Sequence, residues 1–239
     1  MDSKIKTAVI IAGGAGTRLW PLTENKPKTM VDVCGKPMIY WIVQWLKSYG
    51  VNHLVVGVAY KKEVIFDYFK KSDNFGLKVD FSEHTVDGGT AEAFRLAIER
   101  HVKDENFIAM NSDEFTNMDL PKFMNKHMTY KPIITMALSP LYVRLSVVES
   151  KNKHNITGFT YGKKVPEVLV SCGIYIFNRK ILNYIPETGS IEDSVFKKLA
   201  AEGDKMIIYL MDSNEEWVSV NNQKELKEAE EKLHEWGMV

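Results

Sequence analysis

Apolar positions along this chain follow two rhythms. TAVIIA (7–12) is a continuous, β-branched run, as expected of a strand buried on both faces. Met38, Trp41, Ile42, Trp45, Leu46 and Tyr49 then recur at helical spacing behind Pro37, with Gly50 as the stop. The alternation continues, with strands predicted over 53–58, 77–82 and 106–110 and helices over 62–70 and 91–100. Beyond Pro132 the pattern changes to successive strands over 133–138, 145–150, 156–161 and 168–177. Helices around Ile181 and Ile191, a strand over 206–210, the run WVSV and a charged helix over 223–236 complete the chain. The first half therefore reads as βαβ units of a parallel sheet with helices on both faces, and the second as a mixed sheet. No low-complexity linker or fixed-period repeat interrupts the chain. We expect one α/β domain over 1–239, with an N-terminal lobe over about 1–130 and a second over about 131–239 sharing one sheet. In such open sheets ligands bind beyond the carboxyl ends of the strands.

Composition narrows the partners. The 239 residues are 45% hydrophobic, enough for a substantial core, and 31 basic side chains balance 31 acidic ones. No global field would recruit nucleic acid or an anionic membrane, so any anion must be held by a local site. The early apolar run over 8–12 is far too short to span a bilayer, and no cleavable signal pattern precedes it. Cys34 and Cys172 are too few for a disulfide framework or zinc cluster and are expected to be buried thiols. A cytoplasmic protein with neither membrane nor nucleic-acid partner is expected. An exposed Trp236 on the final helix would be a contact in a possible homo-oligomer.

The stretch GGAGTRLWPLTENKPKTM begins at Gly13, at the predicted carboxyl end of the first strand. Gly13, Gly14 and Gly16 permit positive φ and close approach of amide N–H groups to an anion. A dinucleotide fingerprint would need a third small residue where Leu19 stands, and the glycine, lysine and hydroxyl residue that a P-loop needs in succession after four spacer residues are missing. Instead Pro21 and Pro27 restrict an excursion that carries Arg18, Lys26 and Lys28 to the same mouth, a combination suited to a triphosphate.

GGAGTRLWPLTENKPKTMVDVCGKPMI (13–39) closely resembles the signature of the sugar-1-phosphate nucleotidylyltransferases, and the pattern can be followed through the chain, more loosely after Asp113. The resemblance implies a Rossmann-like three-layer sandwich with a mostly parallel mixed sheet, of the nucleotide-diphospho-sugar transferase, glycosyltransferase-A-like kind. The implied reaction is attack of a sugar 1-phosphate oxygen on the α-phosphorus of a nucleoside triphosphate, giving a nucleotide sugar and pyrophosphate. It also implies that Arg18 and Lys28 hold the phosphates in line, that Asp113 is the main ligand of a catalytic Mg2+, and that Ala12, Gly13, Gly14, Gly16 and Thr17 line the nucleotide. DGGTAEAF (87–94) would bring Gly89 and Thr90 to the nucleobase.

Several positions depart from the family pattern. His84 stands where pyrimidine-using relatives have glutamine; it reads a base edge or is a surface histidine, leaving guanosine and cytidine open. In WVSVNNQKEL the usual aspartate is replaced by Ser219, and Asn221, on the same face of a strand, is the favoured second metal ligand. Tyr161 and Gly162 occupy the positions of a glutamate-lysine pair, so Lys163 is taken as the sugar-phosphate lysine, with Gly173 as a wall of the sugar pocket. These departures also admit a non-sugar acceptor such as phosphocholine or inositol phosphate, or a silent regulatory subunit.

Overall fold

The computed structural model describes residues 5–151, 155–203 and 205–239. Strands β1 (Thr7–Ile11), β4 (His53–Val58), β5 (Lys78–Glu83) and β6 (Asn106–Asn111) alternate with helices α1 (Met38–Ser48), α2 (Lys62–Lys71) and α3 (Gly89–His101). A short hairpin, β2 (Asp32–Val33) and β3 (Lys36–Pro37), precedes α1, turning at Cys34 and Gly35 with positive φ at both. After β6 come β7 (Glu114–Thr116), α4 (Leu120–Tyr130), β8 (Ile134–Ser150), β9 (Ile156–Asn178), α5 (Lys197–Ala201), β10 (Met206–Leu210), β11 (Trp217–Ser219) and α6 (Gln223–Glu235).

Seven strands form one sheet in the order β10-β8-β9-β6-β1-β4-β5. Pairing is parallel for β1 with β4 and β6, β4 with β5, and β8 with β10; β9 runs antiparallel to both β6 and β8. From β1 the chain moves to β4 and β5 on one side and then crosses to β6 on the other. The carboxyl end of β1 is thus the switch point where a crevice opens. Alternate residues of the strands face two cores. Ala8, Ile10, Val56 and Met110 pack toward α1, α2 and α4; Val9, Val55 and Ala109 pack toward α3 and the segment containing Ile181, Val195 and Leu199. The result is a three-layer α/β/α sandwich. A third core joins Leu19, Val31 and Val33 to Phe115, Val218 and the α6 residues Ala229 and Leu233, anchoring the glycine-rich excursion.

The second half departs from the sequence expectation. The four short strands are two long ones, β8 and β9, whose register shifts between Met136 and Leu138, Pro140 and Leu141, Val143 and Ser146, and Glu149 and Ser150. Each bulge breaks the alternation without ending the strand. The helix expected at Ile181 is a 3-10 turn (Arg179–Asn183), and the one at Ile191 starts as a π-helical turn (Glu192–Phe196) that runs into α5. Helix α4 was not anticipated, although Asp119 caps it by accepting from Lys122 N–H at 3.1 Å. Cys34 is half-buried rather than buried. Trp236 is half-buried too: its indole N–H donates to Glu216 at 2.9 Å, so it is not the exposed contact the sequence suggested. Among the described residues no helix is long and apolar enough to cross a membrane.

Candidate active site

The loop after β1 is held from outside while its amides are left open. Ala12 N–H still donates to Gly57 O at 2.7 Å, extending the β1–β4 pairing. Beyond it the carbonyls of the loop accept: Gly13 O from Tyr60 N–H at 3.3 Å, Gly14 O from Lys28 N–H at 3.2 Å, and Gly16 O from Leu19 N–H at 2.9 Å and the Thr23 hydroxyl at 2.8 Å. Among the described residues, no amide N–H from Gly13 to Arg18 donates to a protein acceptor. Six successive free donors at a strand's carboxyl end form an anion cradle. Gly16 is required twice over. Its φ is +65°, and a Cβ there would meet the Cβ of Lys28 at 2.8 Å.

Four polar side chains from distant parts of the chain converge beside this cradle. Lys28 Nζ donates to Asp113 Oδ2 and, at 2.9 Å, to Asn221 Oδ1. Arg18 Nη2 donates to the same Asn221 oxygen at 3.0 Å across 203 positions of sequence. Local structure explains the meeting. Lys28 opens a 3-10 turn packed back on Gly16, and Asp113 follows β6 at the sheet opening. Asn221 follows β11, whose ladder with β7 ends at the Ser219–Glu114 pair, and Val220 N–H donates to Asp113 O at 3.0 Å. The amide of Asn221 is oriented from behind, its Nδ2 donating to Ser219 Oγ at 2.9 Å and its backbone N–H to Glu225 at 2.7 Å. Ser219 therefore supports Asn221 instead of presenting its own oxygen alone.

Sequence reasoning missed Glu114. This buried carboxyl accepts from Trp217 Nε1 at 2.6 Å and Ser219 Oγ at 3.3 Å. Burial, and then the charge of Asp113, push its proton affinity well above the usual carboxylate range, against the opposing hydrogen bonds and Lys28. Its one sequence signal is a second acidic residue directly before an apolar Phe115. Gly173, with φ +65°, faces this group: a Cβ there would meet Glu114 Oε1 at 2.7 Å and Asn111 Nδ2 at 2.9 Å. The pocket wall read as Gly173 is thus adjacent to Asp113 through Glu114.

The remaining sequence candidates fall in different places. The His84 ring lies directly over Gly13, so no side chain fits there. Its Nδ1 faces Thr85 O at 2.9 Å and therefore carries the proton, while its buried Nε2 has no partner. Gly89, with φ +72°, closes on the carbonyl of Gly189, and the Thr90 hydroxyl accepts from Ile191 N–H at 2.9 Å and donates to Glu192 at 3.2 Å. Thr17 is exposed in the turn before Leu19. Lys26 is turned to Asp32 at 2.7 Å and is not delivered to the cluster. Lys163 bonds Glu149 at 3.0 Å on the far part of β9, ten residues before Gly173, and makes no described contact with the converging cations.

A switch-point loop with free amides beside an arginine, a lysine, a carboxylate and an amide is chemically suited to hold phosphate groups. The chain belongs to the nucleotidyl transferase family, which it matches over residues 7–235. It is 33% identical over 227 residues to the mannose-1-phosphate guanylyltransferase catalytic subunit beta of Dictyostelium discoideum, covering 91% of this chain and 62% of that one. Against the UTP–glucose-1-phosphate uridylyltransferase of Synechocystis the identity is 27%, over 89% of this chain and 59% of that one. The chain thus spans about three fifths of the length of these curated relatives. Among solved structures it resembles HddC from Yersinia pseudotuberculosis in fold, with a TM-score of 0.74, 24% identity, and coverage of 96% of this chain and 100% of that one.

Proposed function

We propose that this chain transfers the nucleoside monophosphate of GTP to a sugar 1-phosphate, releasing pyrophosphate. The observation that carries the reading is the convergence of Arg18, Lys28, Asp113 and Asn221 beside the free amides of residues 13–18. In the step, an oxygen of the acceptor phosphate forms a bond to the α-phosphorus while the bond from that phosphorus to the bridging oxygen breaks and pyrophosphate leaves. Such transfer is catalysed by positioning and by charges placed where charge accumulates. The cradle amides and Arg18 hold the departing β- and γ-phosphates, and Lys28 aligns the α-phosphate for attack. Asp113 Oδ2 and Asn221 Oδ1 both accept from one ammonium, so two oxygens already face a single cationic position. This sparse oxygen set suits Mg2+, which keeps waters and phosphate oxygens for its other positions and would supply further neutralisation of the phosphates. The acceptor lies along Gly173, at the Asp113 side.

Guanosine is favoured by the guanylyltransferase relatives. The test is pyrophosphate release with Mg2+ from each common nucleoside triphosphate against a panel of sugar 1-phosphates, with Arg18→Ala as control. Release requiring GTP and a sugar 1-phosphate, and lost in the control, is expected. Turnover with another base would overturn the guanosine assignment, and turnover only with a non-sugar phosphate would overturn the acceptor. Nucleotide binding without release under any pairing would mark a silent regulatory subunit.

A further inference from the structure

The ladder of β7 and β11 places a second polar layer behind the converging cluster. Ser219 pairs directly with Glu114, and Trp217, two residues earlier on β11, shares their face, while Phe115 and Val218 turn to the apolar core shared with α6. Glu114 is buried there and takes no part in the proposed transfer. Gly173, lacking a side chain, leaves room for its carboxyl, and both carboxyl oxygens are occupied. Oε2 accepts from Trp217 Nε1 at 2.6 Å, and Oε1 accepts from Ser219 Oγ at 3.3 Å. Having given its hydrogen to Glu114, the Ser219 hydroxyl has only lone pairs left, and one of them accepts from Asn221 Nδ2 at 2.9 Å. The series of bonds therefore ends in an amide whose oxygen points the other way, into the site.

From the front Asn221 is held only by cations that have other work. Its Oδ1 accepts from Lys28 at 2.9 Å and Arg18 at 3.0 Å, and in the proposed transfer both turn to phosphates. The bond from its backbone N–H to Glu225 fixes the main chain and leaves the side-chain torsion unset. A serine alone would not set it either, because a hydroxyl donates to an amide oxygen as readily as it accepts from an amide nitrogen. Glu114 removes that choice by taking the hydrogen. We infer that Glu114 is a positioning residue: through Ser219 it keeps the Asn221 oxygen turned to the cation position beside Asp113 once Lys28 and Arg18 have moved to the phosphates. This rests on the reading of that position as a divalent-metal site. Groups that orient a metal ligand from behind contribute roughly 10- to 100-fold in metal affinity.

Binding of Mn2+ to the full chain without substrates tests this, followed by loss of the free-ion signal in electron paramagnetic resonance, since Mn2+ takes the same oxygen ligands as Mg2+. Asp113→Ala locates the bound ion. Glu114→Gln keeps the shape, but Trp217 N–H claims its one oxygen, and its NH2 then faces Ser219, which can no longer give up its hydrogen there. Glu114→Gln and Ser219→Ala are each expected to raise the Mn2+ dissociation constant roughly tenfold or more, with cooperative melting retained. The double variant should bind no more weakly than Ser219→Ala alone, because the two residues act in series; independent contributions would multiply. Wild-type affinity in either single variant, or multiplied losses in the double one, overturns the inference and leaves the metal reading intact. Mn2+ binding indifferent to Asp113→Ala overturns the metal reading, and the inference with it. If Glu114→Gln does not melt cooperatively, Glu114→Leu takes its place under the same expectations.

Discussion

Two excursions leave the same end of this sheet and are built in opposite ways. Residues 13–37 fold inward, their carbonyls taken by Tyr60, Lys28, Leu19 and Thr23, and Leu19, Val31 and Val33 sealed against α6. Past Leu138 and before Ser171, β8 and β9 reach outward as a two-stranded arm, with cross-strand pairs and self-covering side chains but an apolar face in water. The first holds its donors fixed before any ligand arrives, as electrostatic catalysis requires. The second leaves Phe159 and Tyr161 exposed. The difference separates a preorganised site from a solvated arm, even though both leave the carboxyl end of the sheet.

The largest effect that would break this comparison lies in the inward loop. Lys28→Ala removes the ammonium shared by Asp113 and Asn221, and turnover is expected to fall roughly 10²- to 10³-fold in a pyrophosphate-release assay. A loss below tenfold would mean that the cluster is structural. Next in size is a stability effect at the opposite end of the sheet, where β6 and β8 begin. His127 is buried, accepting from Thr135 Oγ1 at 2.8 Å on β8 and donating to Asn106 Oδ1 at 3.0 Å on β6, and burial lowers its pKa to about 4. Its folded pKa lies below the unfolded value, so the unfolded chain takes the proton first. Stability is complete above about pH 6.5 and is lost as pH falls toward 4, by about 3 kcal/mol from this group. Urea melts at the two pH values measure the loss, and His127→Gln should flatten it.

Gly16→Ala comes third. The substitution puts a side chain at φ +65° and against the Lys28 Cβ, so the loop must shift. Turnover is expected to fall roughly tenfold or more, because small displacements of positioning groups are costly. Wild-type turnover would show that the loop is reshaped on binding and that the inward excursion is as pliant as the arm.

How much of this was legible depended on whether the signal was local. The glycine loop could be read because conformation, anion binding and restriction by proline are written in adjacent residues. Arg18 and Asn221 carry no local sign of meeting, and only the family resemblance joined them before the structure did. Glu114 was hidden because β7 has three residues, too short for any period to show, and because its role comes from Trp217 and Ser219 on a strand that pairs with it from far away. The arm was misread as separate strands because bulges disturb alternation in the same way that turns do. Helix α4 was legible and overlooked: Asp119 before Leu120 and Pro121, then Phe123, Met124 and His127, is a cap followed by one buried face.

The smallest effect gives the sharpest test of the boundary between the two regions. The family resemblance assigns Lys163 to the sugar phosphate, whereas the structure pairs it with Glu149 on the exposed arm. Exposed ion pairs contribute little, so Lys163→Ala should leave the melting midpoint nearly unchanged. With its ammonium held on the arm, KM for the sugar 1-phosphate should rise by no more than roughly threefold and kcat should be retained. A KM increase of roughly a hundredfold, with KM for the triphosphate unaltered, would require the arm to bend over Gly173 when the acceptor binds. The arm would then belong to the catalytic region.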